Sequence, residues 1–241
     1  MSAPIVEIRG LLHRYPGGRF ELRVEALEVA QGRAVAVIGP SGSGKTTLLN
    51  VLAGILPPER GRVTVAGANV SELGDAARRA FRVRSVGLVF QAFELLEHLS
   101  VLDNVLLPTR LSAALRADGA ARGRAQGLLE ALGLGDKARR TPRRLSQGER
   151  QRVGICRALV NDPPLVLADE PTGNLDPATA GQAVDELIEH TRGAGRTLIM
   201  VTHDHGLLDR FDEVIDIGAM TAAAAGSTAA AGAGGKAGGE A

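Results

Sequence analysis

Tryptophan is absent from this chain of 241 residues, and tyrosine and cysteine occur once each, as Tyr15 and Cys156. A single cysteine excludes an intramolecular disulfide framework and cannot build a thiolate metal site alone. Cys156 falls on a helical apolar stripe with Val153, Leu159 and Val160, which marks it as a core thiol and fits a reducing compartment. Charge of either sign is not in excess: 28 Lys and Arg face 27 Asp and Glu, a net charge of +1. That leaves no sequence-wide electrostatic footprint for nucleic acid or an acidic membrane surface. No apolar run approaches the roughly 18 residues that span a bilayer, and MSAPIVEIRG lacks the basic-then-apolar order of a cleaved leader. Any membrane role is therefore expected to come through another chain. Lysine is also scarce, with only Lys45, Lys137 and Lys236 in a chain that otherwise uses arginine.

What is present suffices for a large core, since 44% of residues are hydrophobic. Four short runs are continuously apolar: AVAVIG (34–39), VGLVF (86–90), LVLAD (165–169) and TLIMV (197–201). Continuous rather than alternating hydrophobicity predicts strands covered on both faces, as in a parallel α/β sheet. Each run ends in polar residues: the loop GPSGSGKTT, Gln91, Asp169 with Glu170, and Thr202 with His203. Open α/β sheets hold ligands at the carboxyl ends of their strands, so these four segments are expected to share one edge. IVEIRG, FELRVEALEV and GRVTVAG (61–67) read as an antiparallel layer beside that sheet. A mostly helical insertion is expected between Gln91 and Ser146, with Ser100 as an N-cap.

GPSGSGKT, Gly39 to Thr46, matches the phosphate loop GxxxxGK(S/T), follows a predicted strand and precedes a helical run. Gly39, Gly42 and Gly44, with Ser41 and Ser43 between them, permit a tight turn that aims backbone amides at phosphate oxygens. Lys45 is a compact point charge for the β- and γ-phosphates. Thr46 offers a hydroxyl to Mg²⁺, and Thr47 reaches toward an α-phosphate. Asp169 is placed to hold the metal, and Glu170 to polarise an attacking water. Gln91 is expected near the metal or that water, and His203 near the γ-phosphate.

RRLSQGERQRVGICRALV (143–160) carries a second anion signal. Ser146 and Glu149 have capping-box spacing, and Gly148 stands inside the first turn, where glycine costs roughly 1 kcal/mol relative to alanine. A bare helix N-terminus of this kind receives an anion.

With these motifs in hand, the chain resembles the ATPase subunits of ABC transporters over residues 5 to about 218. The motifs correspond to an adenine-stacking aromatic at Tyr15, the Walker A loop, the Q-loop at Gln91, the signature LSQGE, the Walker B strand LVLADE, the D-loop GNLD with Asp176, and the switch histidine His203. The resemblance implies an α/β P-loop NTPase with a RecA-like parallel core, an antiparallel β subdomain and a helical signature subdomain at about 92–160. It further implies ATP and Mg²⁺ as cofactors and a head-to-tail homodimer in which Ser146, Gln147, Gly148 and Asp176 of one copy close over the nucleotide held by Lys45 of the other. Gln147 replaces the usual signature glycine and is expected to restrict the backbone and crowd the nucleotide; Glu149 replaces a glutamine.

ADEPTGNLD, GLVFQ and ELLEHLSVLDNVLLP resemble the branch serving lipoprotein release, macrolide export and cell division. That branch implies integral membrane permease partners, docked near Phe93, Leu95, Leu96 and Leu99, and a place on the cytoplasmic face of the inner membrane. The alternative is a soluble ABC-type ATPase acting on DNA or ribosomes, against which stand the near-neutral charge and the single cassette. Residues 219–241, rich in Ala and Gly, are expected to be disordered, standing where the family has a glycine turn and another strand.

Overall fold

The computed structural model describes residues 3–17, 20–110 and 119–220. The N-terminal part supplies β1 (Val6–Arg14), β2 (Glu21–Val29) and β3 (Ala34–Ile38), then α1 (Lys45–Leu52), β4 (Arg60–Val65) and β5 (Ala68–Asn69). Next come α2 (Asp75–Ser85), β6 (Val86–Phe90), α3 (Val101–Arg110), α4 (Gly119–Ala131) and α5 (Gln147–Leu159). The chain closes with β7 (Leu165–Asp169), α6 (Pro177–Arg192), β8 (Thr197–Val201) and the edge strand β9 (Glu213–Asp216).

Two sheets form. One is antiparallel, in the order β2-β1-β4-β5; the other has the order β6-β7-β8-β3-β9 and parallel pairing throughout. Side chains alternate across the parallel sheet, and this explains its continuous apolar runs. Val35, Val37, Leu165, Leu167, Ile199 and Val201 face a core shared with α1 and the antiparallel sheet. Ala34, Val166, Ala168, Leu198 and Met200 face a second core built with α3, α4, α5 and α6. Cys156 is a free, buried thiol in that second core, and burial pushes it up to about 12.

Register decides where the polar residues emerge. Phe90 pairs with Asp169, Asp169 with Val201, and Val37 with Val201. The carboxyl ends of β6, β7, β8 and β3 therefore stand level, and the segments beginning at Gln91, Glu170, Thr202 and Gly39 leave from one edge as expected.

The described residues of the insertion between Gln91 and Ser146 are mostly helical. The Ser100 hydroxyl accepts the Asp103 N–H at 3.1 Å, which caps α3. Buried Asn104 fastens the preceding loop, accepting from Leu96 N–H at 2.8 Å and donating to the Leu96 and Ser100 carbonyls at 3.0 Å. Residues 217–220 form a helical turn, and Met220 packs on the first core, so ordered structure runs slightly past the expected boundary at 218. The expected disorder of the Ala/Gly tail falls mainly on residues 221–241, outside the described residues.

Candidate functional site

The loop between β3 and α1 turns through positive φ at Gly39, Gly42 and Gly44 (146°, 78° and 99°), so that α1 begins with its N-terminal amides at the sheet edge. Gly44 is held there by sterics as well as by its dihedral: a Cβ would come within 2.9 Å of Phe20 Cζ and 3.0 Å of Leu22 Cδ1. Lys45 Nζ folds back over the loop and donates to the carbonyls of Gly39 (2.8 Å) and Pro40 (3.0 Å). Ser43 Oγ is buried and has no hydrogen-bond partner among the described residues.

Around this loop lies a cavity of about 360 Å³, lined by Tyr15, Phe20, Ser41, Gly42, Gly44, Lys45, Thr46, Thr47 and Glu170. Its size is that of a small-ligand site. Tyr15 is 39% exposed. Its ring contacts Phe20 at 6.1 Å and the His13 edge at 5.0 Å, and its hydroxyl lies 3.2 Å from Thr47 Oγ1. The aromatic wall is thus a pair, Tyr15 with Phe20, rather than one ring.

The acidic pair closes the other side. Thr46 Oγ1 donates to Asp169 Oδ1 at 3.2 Å. Burial pushes the Asp169 carboxyl above its ordinary value, opposed by the Thr46 hydroxyl, reinforced by Glu170 and opposed again by Lys45. Glu170 adopts the left-handed region at φ 45°, where an ordinary side chain is uncommon. Its N–H donates to Val201 O at 3.1 Å, pinning the turn to β8, and its Oε2 lies 3.2 Å from His203 Nδ1. Gln91 sits at the same edge. Its carbonyl accepts from Asn174 Nδ2 at 2.9 Å, and its side chain lies against Gly173.

Of the predicted residues, Gly39, Ser43, Gln91, Asp169 and His203 lie at this sheet edge without lining the cavity, and four more belong to a different part of the protomer. Ser146, Gln147, Gly148 and Asp176 gather at the adjoining N-termini of α5 and α6. The Ser146 hydroxyl accepts from Glu149 N–H at 3.3 Å and Glu149 Oε2 accepts from Ser146 N–H at 2.8 Å, completing the capping box. Asp176 caps α6 by accepting from Thr179 N–H at 3.1 Å and Thr179 Oγ1 at 2.5 Å. The two termini touch, since a Cβ at Gly148 would sit 3.2 Å from Thr179 Cγ2. Gln147 is exposed and opens α5 with helical backbone, so its expected restriction of the turn does not arise.

A phosphate loop at the edge of a parallel sheet, an acidic strand end and a separate capped helix terminus together define a small set of nucleotide enzymes, and the ABC transporter family profile matches residues 22–173. The chain belongs to the ABC transporter family. It is the ATP-binding, ATP-hydrolysing cassette of such a transporter. It is 47% identical over 219 residues to the lipoprotein-releasing system ATP-binding protein LolD of Xanthomonas oryzae pv. oryzae (strain MAFF 311018), covering 90% of this chain and 89% of that one. It is 43% identical over 219 residues to the macrolide export ATP-binding/permease protein MacB 1/2 of Paracoccus denitrificans (strain Pd 1222), covering 90% of this chain and 32% of that longer one. Among solved structures it resembles the dimeric post-hydrolysis state of the cassette MJ0796 bound to ADP and Pi, with TM-score 0.73 and 33% identity over 88% of this chain and 95% of that one. These relatives favour the transporter reading over a DNA- or ribosome-directed ATPase.

Sequence reasoning missed several participants. Phe20 lies in an alternating strand-like segment and gives no motif signal. The same is true of Arg157, which crosses from α5 to donate to the Phe93 carbonyl at 2.7 Å and to the Glu94 carbonyl. Those two residues have positive φ, 60° and 48°, so Arg157 holds a strained segment just past Gln91.

Proposed function

We propose that two copies of this ABC cassette bind head to tail and enclose two ATP molecules, and that their closure drives a membrane-embedded partner. The observation that supports it is the division of the site: the cavity beside Lys45 contains no residue of the Ser146 turn, which presents a rigid, exposed helix terminus elsewhere on the protomer. A helix N-terminus with its cap already made is suited to an incoming phosphate, and a second copy supplies one. The similar cassette MJ0796 is dimeric in a post-hydrolysis state with ADP and Pi, which supports a two-copy reading.

Tyr15 and Phe20 take the adenine, and amides of Gly39 to Gly44 surround the phosphates, with the Ser43 hydroxyl free to join them. Lys45 exchanges its bonds to the Gly39 and Pro40 carbonyls for the β- and γ-phosphates, while Thr47 lies toward the α-phosphate. Magnesium fits the oxygen donors present. Thr46 Oγ1 and the Asp169 carboxylate are neighbours, with Gln91 at the same edge. No cluster of three or more acidic, His or Cys ligands occurs among the described residues; magnesium needs none, since substrate phosphates and water complete its shell. When bound, the ion neutralises phosphate charge. Glu170 takes the proton of the attacking water, and His203 orients Glu170 and the γ-phosphate. Asp176 rigidifies the α6 terminus against which the Ser146 turn rests.

Permease docking is assigned to the face past Gln91. Leu96 is exposed there, and Phe93, Leu95 and Leu99 are half-buried. A mostly apolar cavity of about 270 Å³, walled by Phe90, Leu107 and Pro108 with Arg82 and Asn161 as polar lining, is linked to this segment by Arg157, which lines it and holds the Phe93 and Glu94 carbonyls. No helix among the described residues is long and apolar enough to cross a membrane. Such a partner would hold the cassette at the cytoplasmic face of the inner membrane, and the relatives named for lipoprotein release and macrolide export support this kind of complex.

Ser146→Arg tests the shared site. The variant is expected to bind fluorescent ATP as wild type does while losing ATP-dependent dimerisation and hydrolysis. Hydrolysis within about tenfold of wild type would count against a shared site, since transition-state donors contribute 10² to 10³-fold.

A further inference from the structure

Glu149 brings a carboxylate to the first turn of the helix that is to receive a phosphate. One oxygen accepts the Ser146 N–H at 2.8 Å; the other accepts from Lys137 Nζ at 2.6 Å. Both side chains are mostly withdrawn from solvent, at 23% exposed for Lys137 and 20% for Glu149, so the pair is weakly screened. Four neighbouring arginines are directed elsewhere: Arg140 to Asp136, Arg143 to Glu97, Arg152 to Glu186 and Arg150 to the Pro142 carbonyl. Lys137 therefore supplies the compensating charge. As a cation on Oε1 it leaves Oε2 to the Ser146 amide.

We propose that Lys137 is a positioning residue for ATP turnover: it neutralises Glu149, so the Ser146 turn keeps its cap without repelling the triphosphate presented by a second copy. This rests on the head-to-tail reading above. A purely structural ion pair would matter for folding alone. A charge-compensating one matters in proportion to the negative charge left on Glu149, so removing that charge should remove the need for the lysine.

The test compares ATP hydrolysis by the full chain with Lys137→Met, Glu149→Gln, both together, and Lys137→Arg, alongside fluorescent-ATP binding by dilute protomers. Lys137→Met is expected to raise the KM for ATP about tenfold, the equivalent of about 1.4 kcal/mol, with kcat within about threefold and protomer ATP affinity unchanged. Adding Glu149→Gln is expected to return KM to within about threefold of Glu149→Gln alone, and Lys137→Arg to stay within about threefold of wild type. An unchanged KM in Lys137→Met overturns the proposal. So does the same rise with and without Glu149→Gln, or a Lys137→Met chain that loses its thermal unfolding transition and is not rescued by Glu149→Gln. Ser146→Arg separates the two layers: wild-type hydrolysis in that variant sinks the head-to-tail reading and the Lys137 role with it. Lost hydrolysis there, beside an unrescued Lys137→Met, sinks the Lys137 role alone.

Discussion

His203 Nδ1 lies 3.2 Å from Glu170 Oε2, joining the residues that leave β8 and β7 at the level carboxyl edge of the sheet. Glu170 is held from both sides, by this contact and by the bond from its N–H to Val201 O, despite a left-handed backbone. Strain retained at a polar strand end is a frequent mark of a working residue.

Glu170→Gln removes the basic oxygen and preserves the shape. Its kcat should fall by about 10² to 10⁴-fold, the usual contribution of a general base, while ATP affinity changes little and an ATP-bound dimer accumulates. Steady-state hydrolysis with nucleotide-binding titration measures both. A kcat within tenfold of wild type would remove Glu170 from that role.

Thr46→Val deletes the hydroxyl beside Asp169 and nearly preserves volume. Hydrolysis should drop by about 10²-fold or more, because an ion that neutralises phosphate charge contributes several kcal/mol. Raising magnesium should recover part of the loss. A wild-type magnesium titration in the variant would place the ion elsewhere.

Gly44→Ala puts a Cβ 2.9 Å from Phe20 Cζ at φ 99°. ATP Kd should rise at least about tenfold, by loss of the loop's shape. Isothermal titration of wild type and Gly44→Ala measures it, and an unchanged Kd would show that the loop binds phosphate without the shape that glycine allows.

Acid should weaken the signature helix through Glu149. Its hydrogen bond from Lys137, then that from the Ser146 N–H, hold the carboxyl below its ordinary value of 4.5. A depressed folded value means that the stabilisation is fully present above 4.5 and is lost as pH falls through the folded value. The melting temperature of wild type should therefore fall more steeply below pH 4.5 than that of Glu149→Gln. Parallel curves in thermal melts from pH 6 to pH 3 would show that the carboxylate carries no such stability.

Much of this was legible beforehand where local chemistry is self-sufficient. The buried strands announced themselves because a sheet covered on both faces needs apolar residues at every position, and the Ser146 cap because its two bonds close within four residues. The phosphate loop was legible for the same reason, its glycines, lysine and threonine being adjacent. Phe20, Arg157 and the Lys137–Glu149 pair were not, since Phe20 meets Gly44, Arg157 the Phe93 carbonyl and Lys137 Glu149 only after folding brings together residues 12 or more apart. Helix α2 also gave little signal, because Phe81 is its one buried residue and the rest is charged or small. The backbone consequence expected of Gln147 failed because the position is the first turn of an ordinary helix, where a side chain points outward.

The most direct test of a site completed by a second copy is ATP turnover per chain measured against chain concentration, with mass followed by light scattering in the same samples. The expected result is a specific activity that vanishes where the mass is that of one 25.0 kDa chain and rises to a plateau as dimers form with MgATP. A specific activity that stays at its plateau value in samples containing only the 25.0 kDa species would contradict it.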